Sequence, residues 1–255
     1  KNRPLSEQPF PFIIVDAMVI RIREDNRVRQ RSLLIAVGIN ESGLREVLGI
    51  GLGDSESEDS WSEFFHGLKE RGLNGVDLIV SDDHGGLVKA IRKHFQGVSW
   101  QRCQTHFMRN ILDATPNSCR DEVKTRVRAV LDAPDMETAR MMLDKTLEAC
   151  TKKAPRAMKI LENGFDDAVA VLALPERYRK RLRTTNSLER LNEEIRRRER
   201  VIRIFPNRES ALRLIGALLL EIDTKWAEGR RYLDMDEFLI WRNNRAESRV
   251  FRQVS

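Results

Sequence analysis

The chain has 255 residues, enough for one large domain or two small ones and enough to bury a substantial core. It is 41% hydrophobic and 33% charged, and no apolar run approaches the roughly 20 residues of a membrane span, so a helical membrane protein is excluded. The net charge of +6 is concentrated: Arg177 to Arg203 holds eleven Lys/Arg and four Asp/Glu, a net of +7 that leaves −1 for the rest, the footprint of a surface for a polyanion. Alone, such a run also fits a solvated helix face. Three cysteines, Cys103, Cys119 and Cys150, do not make a disulfide framework and favour a reducing, cytoplasmic setting. The polar start, Lys1 to Gln8, does not read as a signal peptide.

Residues 1–10 read as a linker. Phe10 to Ile22, rich in β-branched and aromatic residues, predicts a strand carrying Asp16. A polar turn at Glu24-Asp25-Asn26-Arg27 leads to a second strand over Ser32–Ile39. A turn over Asn40–Gly43 leads to a third over Glu46–Leu52. Connections this short require an antiparallel meander. Ser57 to Arg71 sets Trp61, Phe64, Phe65 and Leu68 on one helical face. Val76 to Val80 is a continuous apolar run, the pattern of a strand buried on both faces. A helix over Leu87–Phe95, a short strand over Val98–Gln101 and a helix over Cys103–Leu112 come next.

From Pro116 to Arg183 strands disappear. Helical spacing covers Asp121–Leu131, Met136–Cys150 and Lys159–Leu172. Helices over Asn186–Arg200 and Arg208–Glu228 come after, and the pattern beyond Asp236 is undecided. The order is that of an α/β fold with a mixed five-stranded sheet, helices on both faces and an all-helical insertion, the pattern of ribonuclease H-like proteins. Its segments are a linker at 1–10, a first part of the core at 11–115, the insertion at 116–183, the end of the core at 184–230 and a C-terminal tail at 231–255.

Three acids suit metal-dependent phosphodiester chemistry, in which carboxylates hold two Mg²⁺ ions about 4 Å apart. Asp16 interrupts an apolar strand, where a charge is costly unless paired or metal-bound. Strand alternation also allows it a solvated face. Asp82 ends a buried strand, where functional groups of α/β sheets gather, but also fits a turn or a helix N-cap. Asp83 beside it points the other way along the chain. His84 fits either a ligand-orienting role or a loop. Glu189 stands three residues after Asn186, the spacing of a capping box. It also borders a core-facing stripe of Leu188, Leu191 and Ile195, on a helix bearing Arg190, Arg196, Arg197, Arg198 and Arg200, and Glu193 lies one turn on. Cys103 and His106 form a CxxH pair without a second half for zinc. A contact from His106 to a phosphate or carboxylate, or a buried cysteine beside a capped histidine, fits as well.

Four motifs in order resemble the mutator-type bacterial transposases typified by the IS256 insertion sequences. They are Val15-Asp16-Ala17 with Arg21-Ile22-Arg23-Glu24; Ser81-Asp82-Asp83-His84-Gly85-Gly86-Leu87; Trp100 to Asn110, which includes Cys103, His106 and Arg109; and Thr185 to Asn192 with Ile204-Phe205-Pro206-Asn207. The resemblance spans residues 10 to 210. It implies a ribonuclease H-like catalytic domain with Asp16, Asp82 and Glu189 as catalytic and metal-binding residues. It gives supporting roles to Cys103 and His106, with Asp83 and His84 beside the site.

The resemblance further implies a DNA transposase that nicks an element end and transfers the strand with two Mg²⁺ ions, Mn²⁺ substituting. Its partner is double-stranded DNA, held through Arg109, Arg190, Arg196, Arg197, Arg198 and Arg200, and it acts as a homodimer on DNA in the bacterial cytoplasm, associated with the nucleoid. Family members carry a further DNA-binding region that would precede Lys1. Asp83 stands where the family has a small residue, and Glu199 and Arg203 where it has Thr/Ser and Gly, which points to altered DNA contacts. A catalytically silent, transposase-derived DNA-binding protein and a nuclease without strand transfer are the competing readings.

Overall fold

A computed structural model describes the backbone of residues 3–253 and the side chains of residues 3–245. Its strands are β1 (Phe12–Glu24), β2 (Arg27–Ile39), β3 (Arg45–Gly53), β4 (Leu78–Ser81) and β5 (Ser99–Arg102). They form one mixed sheet in the order β3-β2-β1-β4-β5. β2 is longer than the hydrophobic pattern suggests, and β1 lies two residues further along the chain than the expected Phe10–Ile22. Asp25 and Asn26 have φ of 48° and 59°, so a two-residue turn of positive φ closes the hairpin directly on Glu24 and Arg27. The charged stretch Arg27 to Arg31 therefore belongs to the strand rather than to a loop.

The chain divides into two compact units. The first comprises residues 1–79, 84–98 and 186–255. In it β1, β2 and β3 pair antiparallel, and register sets Asp16, Ile35 and Ile50 in one cross-strand row. α1 (Glu58–Glu70) covers one face of β3, where Gly49 and Gly51 leave room for Leu68 and Phe64. α9 (Arg208–Ala227) packs on β3 from the Ile50 side. α2 (Gly85–His94) packs on α1, and α8 (Asn186–Ile202) packs on β1.

Two segments of this unit differ from their sequence reading. Residues read as linker contribute buried Leu5 and Phe10 to the core, and Leu5 N–H donates to Arg71 C=O at 2.6 Å. The C-terminal stretch contains α10 (Asp236–Gln253), whose buried Phe238 meets Phe12 edge-on at 4.6 Å. Lys1, Asn2, Val254 and Ser255 lie outside the described residues.

The second unit comprises residues 80–83 and 99–185. β5 leads into α3 (Gln104–Asp113), then α4 (Arg120–Leu131), α5 (Met136–Cys150), α6 (Pro155–Ala168) and α7 (Glu176–Leu182). Its core joins Phe107, Val123, Val127, Leu161 and Phe165. α6 starts at Pro155 rather than Lys159, because proline at the first helical position lacks only an N–H that the helix leaves unpaired anyway. α7 has no counterpart in the sequence reading; its run of Glu176, Arg177, Arg179, Lys180 and Arg181 hides the two apolar anchors, Tyr178 and Leu182. The amide of Gln101 fastens β5 to the end of α6. Its Nε2 donates to Ala168 C=O and its Oε1 accepts from Val171 N–H, each at 2.7 Å.

Candidate active site

In the first unit the site is built on β1 and α8. Asp16 is 9% exposed, between fully buried Val15 and half-buried Ala17. Its Oδ1 accepts from Ala17 N–H at 2.9 Å, and its Oδ2 accepts from Asn192 Nδ2 at 2.8 Å. Asn192 comes from the α8 face that also buries Leu188, Leu191 and Ile195. Glu189 precedes Asn192 by three residues, about 4.5 Å of helical rise on the same side of the helix. The structure thus brings α8 against the strand bearing Asp16 through Asn192. Sequence reasoning missed Asn192; a polar residue inside the apolar stripe was the signal available.

The arginines of α8 divide by partner. Arg197 and Arg198 turn to Glu194, at 2.6 and 3.6 Å, and these guanidiniums hold the Glu194 carboxyl down to about 2. Arg190, Arg196 and Arg200 are exposed and form no salt bridge among the described residues. Burial raises the Glu199 carboxyl, with Arg196 and Arg21 acting against that rise.

The motif after α8 secures the open edge of β1. Phe205 N–H donates to Arg21 C=O at 2.9 Å, and Arg23 N–H donates to Phe205 C=O at 2.8 Å. Arg203, at φ 60°, turns the chain into that bridge in a conformation that favours glycine. Of the two departures from the resembled pattern, Arg203 thus forms the turn that leads into the bridge to β1, and Glu199 lies near Arg21 of β1.

In the second unit Asp82 and Asp83 have different surroundings. Asp83 is engaged: its Oδ2 lies 2.9 Å from Arg102 Nη1. Arg102 is itself buried and stacks on Phe107 at 4.5 Å; burial pulls its guanidinium below the ordinary value, and Asp83, Asp167 and Asp82 act against that. Asp82 is half-buried, and its Oδ1 is shut off from solvent without a hydrogen-bond partner. A buried carboxylate oxygen left so is costly unless a cation meets it. His84, in the first unit, sits at the N-cap of α2 with Nδ1 3.7 Å from Glu56 Oε1, beyond hydrogen-bond range.

Cys103 is a junction. Its backbone N–H donates to Ser81 C=O at 2.7 Å, and its buried Sγ accepts from Thr185 N–H at 3.4 Å and Thr185 Oγ1 at 3.3 Å. Burial pushes the thiol up, but hydrogen bonds from His106 and Thr185 outweigh it and leave the thiol below its ordinary range. One residue before Asp82 and one residue before α8 are thus tied to the same cysteine. Arg109 is exposed on α3. Among the described residues no three His, Cys, Asp or Glu side chains form a group able to hold a metal ion, and no helix is long and apolar enough to cross a membrane.

Residues 1–229 match the model described as "Transposase, Mutator family", and the chain belongs to that family. It is 42% identical over 240 residues to the transposase for IS256 in transposon Tn4001 of Staphylococcus aureus, covering 93% of this chain and 61% of that protein. It is 42% identical over 231 residues to the ISRM5 transposase of Rhizobium meliloti, covering 91% and 58%. With the IS1081 transposase of Mycobacterium tuberculosis the identity is 41% over 236 residues, covering 92% and 57%. The chain spans about three-fifths of the length of these curated relatives. A solved structure, the HTLV-2 integrase catalytic core domain in complex with magnesium, aligns at 14% identity over 56% of this chain and 85% of its own, with a TM-score of 0.25, too low to carry an argument.

Proposed function

We propose that this chain is the catalytic part of an insertion-sequence transposase, with Asp16, Asp82 and Glu189 as the carboxylates of a ribonuclease H-like site. The observation that carries the reading is the pair at the end of β4: Asp83 is neutralised by Arg102, while Asp82 keeps a buried oxygen free. Membership of the Mutator family and the strand order support it.

The donor set fits a hard divalent cation, since Mg²⁺ is typically held by one or two carboxylates together with substrate phosphates. Two bound cations would activate a hydroxyl nucleophile and stabilise the leaving oxygen; Mg²⁺ is the ordinary choice and Mn²⁺ a substitute. Asp16 is pre-oriented by Asn192 and Ala17 N–H. Glu189 approaches from α8. Cys103, with His106 against its thiol, holds the segments before Asp82 and α8 in register. Arg190, Arg196 and Arg200 offer cationic heads to phosphates, with Arg109 on α3 and with Arg197 and Arg198 as secondary contacts. The partner is double-stranded DNA, both element end and target, in the bacterial cytoplasm and nucleoid, and a homodimer would handle two ends.

The test is nicking and strand transfer on an oligonucleotide carrying the element end. Mg²⁺-dependent nicked and joined products are expected, falling to background in Asp16→Asn, Asp82→Asn and Glu189→Gln but persisting in Asp83→Asn. Activity that survives Asp82→Asn would overturn the ligand assignment. DNA binding without cleavage under either cation would favour a silent DNA-binding protein instead.

A further inference from the structure

We infer that Asn192 is a positioning residue that fixes the Asp16 carboxylate for its cation. The inference deepens the proposed function and rests on Asp16 being a ligand.

Asn192 is 9% exposed, on the α8 face that otherwise buries Leu188, Leu191 and Ile195. An amide among leucines is unfavourable unless its hydrogen bonds are used. One is: Nδ2 donates to Asp16 Oδ2 at 2.8 Å. The other half of the amide is not, because Oδ1 is buried with no hydrogen-bond partner. Leucine at this position would extend the apolar stripe and leave no orphaned atom, so packing alone does not account for asparagine.

The geometry has two consequences. Each carboxylate oxygen has two lone pairs, and the Asn192 N–H on Oδ2 uses one of them to orient the group. The Asn192 amide is a neutral donor, unlike the Arg102 guanidinium beside Asp83. The free Oδ1, an acceptor one side chain away from a ligand carboxylate, suits an O–H donor such as a cation-bound water. Because Glu189 lies three residues earlier on α8, the same hydrogen bond also sets the register of that helix against β1. Second-sphere partners of metal ligands typically govern metal affinity by 10- to 100-fold.

The test uses the full chain and Mn²⁺ as the probe, with binding followed by water-proton relaxation and DNA affinity by anisotropy. Asn192→Leu removes donor and acceptor while keeping the volume and the apolar face, so it folds even if Asn192→Ala does not. Expected are Mn²⁺ binding about 10- to 100-fold weaker in Asn192→Leu, DNA affinity within about twofold of the parent, and cleavage partly restored by raising Mg²⁺. In Asp16→Asn, high Mg²⁺ restores nothing. Asn192→Leu binding Mn²⁺ like the parent, while Asp16→Asn has lost it, would overturn the positioning role and leave the ligand assignment standing. Unchanged Mn²⁺ binding in Asp16→Asn would instead remove the ligand assignment and this inference with it.

Discussion

Two adjacent glycines with opposite surroundings give a sharp test of the packing. Gly85 and Gly86 open α2, directly after Asp82-Asp83-His84, and neither has a positive φ. A Cβ added at Gly86 would fall 2.7 Å from the backbone nitrogen of Glu58 and 2.7 Å from the carbonyl carbon of Ser57. These are backbone atoms at the N-terminus of α1, where the Ser57 side chain already caps the helix through Ser60 N–H, so they cannot swing aside. A Cβ at Gly85 would meet nothing within 4 Å. Gly86→Ala therefore overpacks the α1–α2 junction and should cost about 1–3 kcal/mol. Gly85→Ala should be neutral or gain up to about 1 kcal/mol from helix propensity. With a urea slope of about 2 kcal/mol/M, Gly86→Ala lowers the midpoint by about 0.5–1.5 M while Gly85→Ala does not lower it. Equal midpoints for the two variants would refute the reasoning. A folded Gly85→Ala protein that had lost cleavage would show that the first glycine serves the substrate.

Phe205→Ala removes the buried ring beside the β1 edge bridge and should cost about 3–5 kcal/mol in urea unfolding; a loss below about 1 kcal/mol would contradict its anchoring role. Gln101→Ala strands the Val171 N–H and should cost about 1–3 kcal/mol, with faster hydrogen exchange at Val171 as the local readout. Arg31 and Arg208 hold the Glu24 carboxyl down from 4.5 to about 2. A depressed carboxylate contributes stability above its unfolded value and loses it as pH falls, so this contribution is complete above about pH 4.5 and fades toward pH 2. Glu24→Gln should flatten that limb of the midpoint–pH curve, and parallel curves for the two proteins would count against it.

What could be read from sequence depends on the range of the forces involved. The charge in the middle of β1 and the apolar β4 are local patterns, and both lie where their composition placed them. The full length of β2 was hidden because alternation weakens where Arg27, Arg29 and Arg31 leave the apolar sheet, although Asp25-Asn26 was a visible turn signal. α7 was hidden by its charge. The different surroundings of Asp82 and Asp83 were not legible, since Asp83 pairs with Arg102, nineteen residues downstream. Asn192 was legible in principle: on a helical wheel it falls within the stripe of Leu188, Leu191 and Ile195, where a polar residue implies a partner.

The stretch Trp100 to Gln104 anchors several segments at once. Trp100 Nε1 donates to Ser81 Oγ at 2.8 Å, and Ser81 Oγ donates to Asp82 C=O at 2.7 Å. Gln101 and Gln104 both hold Ala168 C=O at the end of α6. Arg102 takes Asp83, and Cys103 takes Ser81 and Thr185. Five consecutive side chains or amides thus fix the backbone on both sides of Asp82, the C-terminus of a long helix and the residue that precedes α8. Arg102 contributes most to the electrostatics. By pairing with Asp83 it removes one of two neighbouring negative charges, so Asp82 is left as the carboxylate of that turn with an unmet buried oxygen. Replacing Arg102 would leave Asp83 without its cationic partner beside Asp82. In the proposed site the motif would thus keep one acid engaged and leave its neighbour available.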